Sequence, residues 1–115
     1  MKHRIVFRGE ESSVSWDILH VYPKQEELTI QMTGQDSEHE ISVSFDEYDL
    51  FIRDFAHVHE SLQGEVVFEQ GVVRLRLRYD RLGRVFISWS NGQTSQEFRS
   101  DQSYLSEALA KLGVY

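Results

Sequence analysis

The chain has 115 residues, no cysteine, 40% hydrophobic residues and 27% charged residues. That length supports one hydrophobic core, and that composition is ordinary for a folded protein. Without cysteine there can be no disulfide, thiol catalysis or cysteine-ligated zinc. The net charge of −7 predicts repulsion from nucleic acid and anionic membranes and attraction to a basic protein, although acidity also serves solubility alone.

The first residues of the chain bear on where the protein is located in the cell. Residues 1–8 form a stretch that is too short and too charged for a signal peptide. No apolar run approaches the roughly 20 residues that span a bilayer. We therefore expect one domain over residues 1–115, soluble and cytoplasmic, with no membrane partner.

The first half reads as four strands followed by a helix. Alternating residues predict strands around 3–8 and 14–22, then around 28–32 and 41–45. In the second strand, one face carries Val14, Trp16, Ile18, His20 and Tyr22. Pro23 fits a loop, and the polar stretch 34–38 fits a turn.

The first helix is expected to begin at Asp46, whose carboxylate would accept from the backbone N–H of Asp49. It is expected to reach about Leu62, with Gly64 as its stop. Its predicted buried stripe comprises Tyr48, Ile52, Phe55, His59 and Leu62, flanked by Phe51.

The second half repeats the order. Gln70-Gly71 predicts a two-residue hairpin turn, which places Phe68 opposite Val73, Val66 opposite Leu75 and Glu65 opposite Arg76. Leu82-Gly83 predicts another turn, and Asn91-Gly92 is a strong hairpin signal. The last helix is expected to open at Ser100 or Asp101 and to bury Leu105, Ala108, Leu109 and Leu112.

These elements predict an α+β fold in the order ββββα-ββββα. We expect a mostly antiparallel sheet of about eight strands, with two helices packed on one face. The halves 1–63 and 64–115 are candidates for an internal duplication.

Catalytic and metal motifs are missing. His57 and His59 point about 200° apart on a helix, so they cannot share a metal ion. His59 is expected to be half-buried and His57 exposed. No serine lies in a Gly-x-Ser-x-Gly elbow. We therefore expect a protein that is not an enzyme, without catalytic residues, cofactor or metal.

A basic stripe lies in the second half. Arg74, Arg76 and Arg78 share one strand face, with Arg81 and Arg84 near the following turn. Together with Phe86 and Trp89, such a stripe can bind single-stranded nucleic acid. Cross-strand pairing with Glu65, Glu69 and Glu97 explains the stripe without a ligand. We favour an anion or protein contact over nucleic acid, and expect no nucleic-acid partner.

An acidic group precedes and opens the first helix. It comprises Asp36, Glu38, Glu40, Asp46, Glu47 and Asp49. Acids near a helix N-terminus stabilise the helix dipole, but the first three precede the helix and gain little from it. They can instead steer a basic partner. The predicted partner-binding residues are Asp36, Glu38, Glu40, Glu47 and Asp49.

Several segments together resemble a known group. They are Tyr-Asp-Leu-Phe-Ile-Arg-Asp-Phe at 48–55, Ser-Leu-Gln-Gly-Glu at 61–65, Val-Arg-Leu-Arg-Leu at 73–77, Gly-Arg-Val at 83–85 and Glu-Phe-Arg-Ser-Asp-Gln-Ser-Tyr-Leu at 97–105. Over roughly residues 41–112, the chain is similar to WapI-like bacterial toxin-immunity proteins and neighbouring small uncharacterised bacterial families. The resemblance implies a cytoplasmic protein that neutralises a toxin, often a nuclease, by binding it.

We accordingly expect a non-enzymatic protein-binding domain, an immunity protein that occludes the surface of a basic toxin. The alternative is an uncharacterised structural or homo-oligomeric domain with no separate ligand. The sequence leaves open the oligomeric state and whether Arg74, Arg76 and Arg78 bind anything.

Overall fold

The computed structural model describes residues 3–113. Over these residues it confirms the α+β class and the order ββββα-ββββα. The elements are β1 (His3–Arg8), β2 (Ser13–Tyr22), β3 (Glu27–Thr33), β4 (Glu38–Ser44), α1 (Phe45–Ser61), β5 (Gly64–Gln70), β6 (Val73–Tyr79), β7 (Arg84–Ser90), β8 (Ser95–Asp101) and α2 (Gln102–Leu112).

The eight strands are divided between two antiparallel sheets. The first sheet has the order β1-β2-β3-β4 and the second β5-β6-β7-β8, so each is a simple meander. Short turns between consecutive strands favour this antiparallel arrangement. Each sheet has one apolar face, and the buried side chains of both sheets and both helices form one core.

An aromatic cluster joins the two sheets to α1. The Trp16 ring lies 4.9 Å from the Phe68 ring and 5.3 Å from the Phe51 ring, between centroids. Phe7 of β1 lies 5.0 Å from Trp16. Phe51 therefore contacts one strand of each sheet, since it also lies 5.4 Å from Phe68.

The cap of α1 differs from the prediction. Ser44, not Asp46, is the N-cap, and its Oγ accepts from the backbone N–H of Glu47 at 3.1 Å. The helix therefore begins at Phe45, because Ser44 holds the extended backbone that a cap requires (φ −72°, ψ 155°). The helix also stops before Gly64, since Leu62 already takes the left-handed conformation (φ 54°).

The predicted stripes are largely those observed. In α1 the buried residues are Tyr48, Phe51, Phe55, Val58 and His59, with Ile52 and Leu62 half-buried. In α2, Asp101 is the N-cap as expected, and Leu105, Ala108 and Leu112 are buried. Leu109 is half-buried against the core.

The last helix packs along the first strand, in the opposite direction. The Arg8 guanidinium carbon lies 4.5 Å from the Tyr104 ring centroid. At the other end, His3 Nε2 lies 2.6 Å from the carbonyl oxygen of Lys111. The two helices also meet, because the Tyr48 hydroxyl donates to the carbonyl of Leu112 at 2.9 Å.

The predicted pairing of the β5–β6 hairpin is wrong by two residues. Gly71 has a φ of 60° and is the first residue of the turn, so Gln70 pairs with Val73. Phe68 consequently lies opposite Leu75, Val66 opposite Leu77 and Glu65 opposite Arg78. A shift of two residues keeps the same side chains on each face, which is why the predicted faces are unaffected.

Two other local expectations are also changed. A register shift between Ile18 and His20 breaks the alternation of β2, so His20 and Tyr22 are exposed. The Asn91-Gly92 hairpin forms, but its loop runs over residues 91–94, because the Asn91 side chain accepts from the N–H groups of Gln93 and Thr94.

The two halves share one arrangement. The first residue of each helix donates to a turn carbonyl: Phe45 N–H to Glu26 and Gln102 N–H to Gly83, each at 2.8 Å. Both acceptors have positive φ, 54° at Glu26 and 81° at Gly83. The internal duplication itself stays a prediction.

The Glu26→Gly variant is expected to raise the free energy of unfolding by about 0.5–1 kcal/mol, because glycine adopts positive φ without a Cβ penalty. Chemical denaturation measures the change. Glu26→Ala is the matched control, since it removes the same exposed side chain but keeps the strain. Equal stability of the two variants would contradict the explanation.

Candidate functional site

The structure brings together three of the five predicted acidic residues. Asp36 lies in the β3–β4 turn, and Glu38 and Glu40 lie on the outer face of β4. All three are exposed, and no cation among residues 3–113 forms an ion pair with them. We call these three residues the acidic edge, because β4 is an edge strand of the first sheet.

Arg4 is the cation that shares a cross-strand row with the acidic edge. The row runs Arg4, Asp17, Gln31, Glu40 across the four strands. Arg4 pairs with Asp17 through two hydrogen bonds, Nε to Oδ1 at 2.7 Å and Nη2 to Oδ2 at 3.0 Å. Asp17 is only 4% exposed, so its carboxylate holds this guanidinium and Glu40 stays uncompensated.

The other two predicted residues, Glu47 and Asp49, lie beyond the far end of β4. The strand has seven residues, so its length of about 20 Å separates them from Asp36. Glu47 has a structural role, since its carboxylate accepts from the Ser44 hydroxyl at 3.0 Å while Ser44 caps Glu47 N–H. Ser44 thus bonds both the backbone and the side chain of Glu47, which explains Glu47 without a partner.

The predicted basic stripe lies on the outer face of the second sheet. Arg74 pairs with Glu69 at 3.4 Å, and Arg76 pairs with Glu65. Glu65 reaches diagonally to Arg76. Arg78, the residue directly opposite Glu65, is therefore not paired with that carboxylate. Trp89 is not part of this face, since it is buried and its Nε1–H donates to Ser37 in the β3–β4 turn at 3.1 Å.

A groove of about 460 Å³ opens on this outer face. Arg78, Phe86 and Arg99 form one cross-strand row of β6, β7 and β8, and all three line the groove. The Arg78 guanidinium carbon lies 5.1 Å from the Phe86 ring centroid. We call this row the Arg–Phe–Arg row. Arg99 was not among the predicted residues, although strand alternation from Glu97 places it on this face.

His59 belongs to a buried hydrogen-bond network. Its Nδ1 lies 2.6 Å from the Tyr79 hydroxyl and its Nε2 lies 2.9 Å from the Ser106 hydroxyl. Ser106 donates its proton to the carbonyl of Gln102 at 3.0 Å. The ring therefore fits as neutral imidazole, with Nε2–H donating to Ser106 and Nδ1 accepting from Tyr79.

This network resembles a nucleophile–base pair only in its distances. The Ser106 proton points to its own helix, so His59 is not placed to remove it. Burial lowers the pKa of His59 and raises the pKa of Tyr79, which keeps both groups neutral. His57 is exposed, as expected, whereas His59 is buried and not half-buried.

Residues 3–113 lack two features that would point to a membrane or to a metal ion. No helix there is long and apolar enough to cross a membrane. No group of three or more His, Asp or Glu side chains in that range is arranged to hold a metal ion.

The Glu47→Ala variant is expected to lose about 0.5–1 kcal/mol of unfolding free energy, because it removes the acceptor of the Ser44 hydroxyl and an acid from the first turn of α1. Urea denaturation measures the loss. Glu38→Ala removes a similar exposed carboxylate that does not cap a helix. The stability of this variant should stay within about 0.5 kcal/mol of the parent. Equal losses in both variants would show that Glu47 does not stabilise α1.

The His59→Gln variant should remove part of the acid sensitivity of the fold. The folded pKa of His59 is lowered from the ordinary 6.5, so the unfolded chain binds the proton more readily. Stability is therefore fully present above pH 6.5 and lost as pH falls below it. We expect a shallower decline between about pH 6.5 and 5 for His59→Gln, measured by denaturation at each pH. The exposed-site control His57→Gln should keep the parental slope, and identical slopes in all three proteins would contradict the assignment.

Comparisons with protein-family models, with curated proteins and with solved structures found no match for this chain. The resemblance to WapI-like immunity proteins therefore stays a prediction from the sequence.

Proposed function

We propose that this protein is a non-enzymatic protein-binding domain of the bacterial cytoplasm that neutralises a basic toxin by covering its surface. The observation that carries the proposal is the acidic edge: Asp36, Glu38 and Glu40 are exposed, adjacent and unpaired with any cation of residues 3–113. The resemblance to immunity proteins supplies the biological role.

The acidic edge has few structural reasons for its charge. It is not at a helix N-terminus, unlike Glu47, and it makes no cap. The nearest residues in its rows are Gln31 beside Glu40 and Thr33 beside Glu38, which are neutral. Like charges placed side by side repel in the isolated protein, and a basic partner relieves that repulsion.

The net charge of −7 adds to this local field. Opposite charges on two proteins raise the rate of their encounter and fix their orientation more than they raise affinity. A protein that neutralises a basic, nucleic-acid-binding toxin gains from such steering, since it must bind before the toxin reaches its substrate. The expected signature is an association rate that falls steeply with salt.

The test is capture of a basic partner from the native lysate with tagged protein, followed by association kinetics. The double variant Glu38→Lys/Glu40→Lys should slow association about tenfold or more at low salt and flatten its salt dependence. The matched control is Asp54→Lys/Glu107→Lys, which changes the net charge equally at two exposed helix positions.

Support requires that the parent and the control variant retain one stoichiometric basic protein, that the acidic-edge variant retains less of it, and that the parent blocks its toxicity in co-expression. Recovery of the protein alone, or only as its own oligomer, would overturn the proposal in favour of the homo-oligomeric domain. Equal association rates for the two folded variants would reject the acidic edge as the contact surface.

A further inference from the structure

We propose that the Arg–Phe–Arg row on the second sheet is a binding site for a small phosphate monoester that carries a planar ring, the chemistry of a nucleoside monophosphate. The site lies on the arginine-bearing face of β6, β7 and β8, not on the acidic edge. It is therefore independent of the proposed toxin contact.

The first observation is two cations that the fold leaves without a carboxylate. Among residues 3–113, Arg74, Arg76 and Arg84 each pair with a nearby acid, whereas Arg78 and Arg99 pair with none. Both of these arginines are exposed. In a chain of net charge −7, two guanidinium groups facing one groove form a local exception to the overall field.

The second observation is their spacing. Arg78 and Arg99 lie directly across from Phe86 on the two neighbouring strands. Adjacent strands are about 4.8 Å apart, so the two arginine backbones are about 10 Å apart with Phe86 midway. Long side chains on either side of one ring can both reach an anion held above it.

The number of cations favours phosphate over carboxylate. One guanidinium satisfies a carboxylate with two parallel hydrogen bonds. A phosphate monoester has three free oxygens and a charge of about −1.5 to −2 at neutral pH, so it can accept from two separate guanidinium groups.

The third observation is the ring itself. Phe86 is half-buried on a solvent-facing strand surface, and its neighbours in the row are both cationic. Arg78 already lies against the ring at 5.1 Å, which orients this guanidinium by a cation–π contact. A planar group of a ligand can stack on the aromatic surface that Arg78 leaves exposed.

The groove has the size of a small ligand. Its volume of about 460 Å³ falls within the range of small-molecule sites, about 300–1,000 Å³. Ser88, next along β7 on the same face, lines the groove with a short hydroxyl side chain and leaves room above it. Arg76 and Glu97 flank Ser88 on the neighbouring strands.

The surroundings disfavour a nucleic-acid strand. Glu65 lies in the Arg–Phe–Arg row beyond Arg78, and Glu97 lies in the adjacent row beside Ser88. A strand of several nucleotides needs a continuous cationic track, which these carboxylates interrupt. A monoester needs only the two unpaired arginines.

The test is titration of the isotope-labelled full chain with adenosine 5′-monophosphate, followed by amide chemical shifts. We expect saturable shifts centred on residues 76–78, 86–88 and 97–99. Adenosine, which lacks the anion, and inorganic phosphate, which lacks the ring, should each bind at least about tenfold more weakly, since each loses one of the two contacts.

Arg78→Gln and Arg99→Gln should each weaken adenosine 5′-monophosphate binding by about tenfold or more, because a hydrogen bond to a charged group is lost. Arg74→Gln is the matched control, since Arg74 lies on the same strand face but is paired with Glu69, and its affinity should change less than about twofold. Phe86→Leu should weaken the monophosphate and adenosine alike.

Two results would overturn the proposal. One is the absence of saturable shifts at millimolar adenosine 5′-monophosphate with the folded parent protein. The other is tighter, strongly salt-dependent binding of an eight-residue oligothymidylate to the same face, which would identify a nucleic-acid surface instead. A loss of affinity in Arg74→Gln as large as in Arg78→Gln would also count against the site.

Discussion

The contact between Trp16 and Phe68 is the constraint on which the rest of the molecule depends. It links the first sheet directly to the second through two rings, and Phe51 of α1 lies against both of them. Large aromatic side chains bury more apolar surface than other residues and pack in preferred tilted geometries. The cluster fixes how the sheets face one another, and so which strand surfaces are left to solvent. The Trp16 Nε1 atom has no hydrogen-bond partner among the described residues, a cost that the surrounding aromatic packing offsets.

Those two solvent-facing surfaces differ in charge because of local pairing. On the first sheet, the bidentate pair between Arg4 and Asp17 removes a cation from the row that contains Glu40. On the second sheet, the pair between Arg76 and Glu65 removes an acid from the row that contains Arg78. The first pair leaves Glu40 without a cation, and the second leaves Arg78 without a carboxylate. The protein thereby presents an acidic edge and a cationic row on different sheets, although its overall composition is acidic.

The sequence was sufficient to predict the helices and strands, but not the β5–β6 register or the N-cap of α1. Period-two alternation and the Asn91-Gly92 signal identify strands and faces because these patterns lie within each segment and need no knowledge of its neighbours. The β5–β6 register was missed because Gly71 can be either residue of a two-residue turn, and only the formed hairpin decides. The cap was misassigned because Ser44 and Asp46 are both good N-caps, and the choice depends on which of them stays extended after β4.

The candidate sites show the same limit. Composition identifies the acidic and basic residues, but long side chains form ion pairs diagonally as well as directly across a sheet. Sequence spacing alone therefore could not show that Glu47 is held by Ser44, or that Glu65 leaves Arg78 for Arg76. Alternation from Glu97 places Arg99 on the same face, but only the paired strands put it in one row with Arg78 and Phe86.

The packing of α2 along β1 has a consequence for synthesis of the chain. A ribosome makes β1 before the other elements and α2 after them. The surface of β1 that packs against α2 is therefore uncovered until α2 has been made. During that interval the first sheet and α1 expose Trp16 and Phe51, because Phe68 also arrives late. The nascent first half therefore exposes apolar surface, which is prone to association until the second half is made. The core of this fold is in that sense completed only when β5 and α2 have been made.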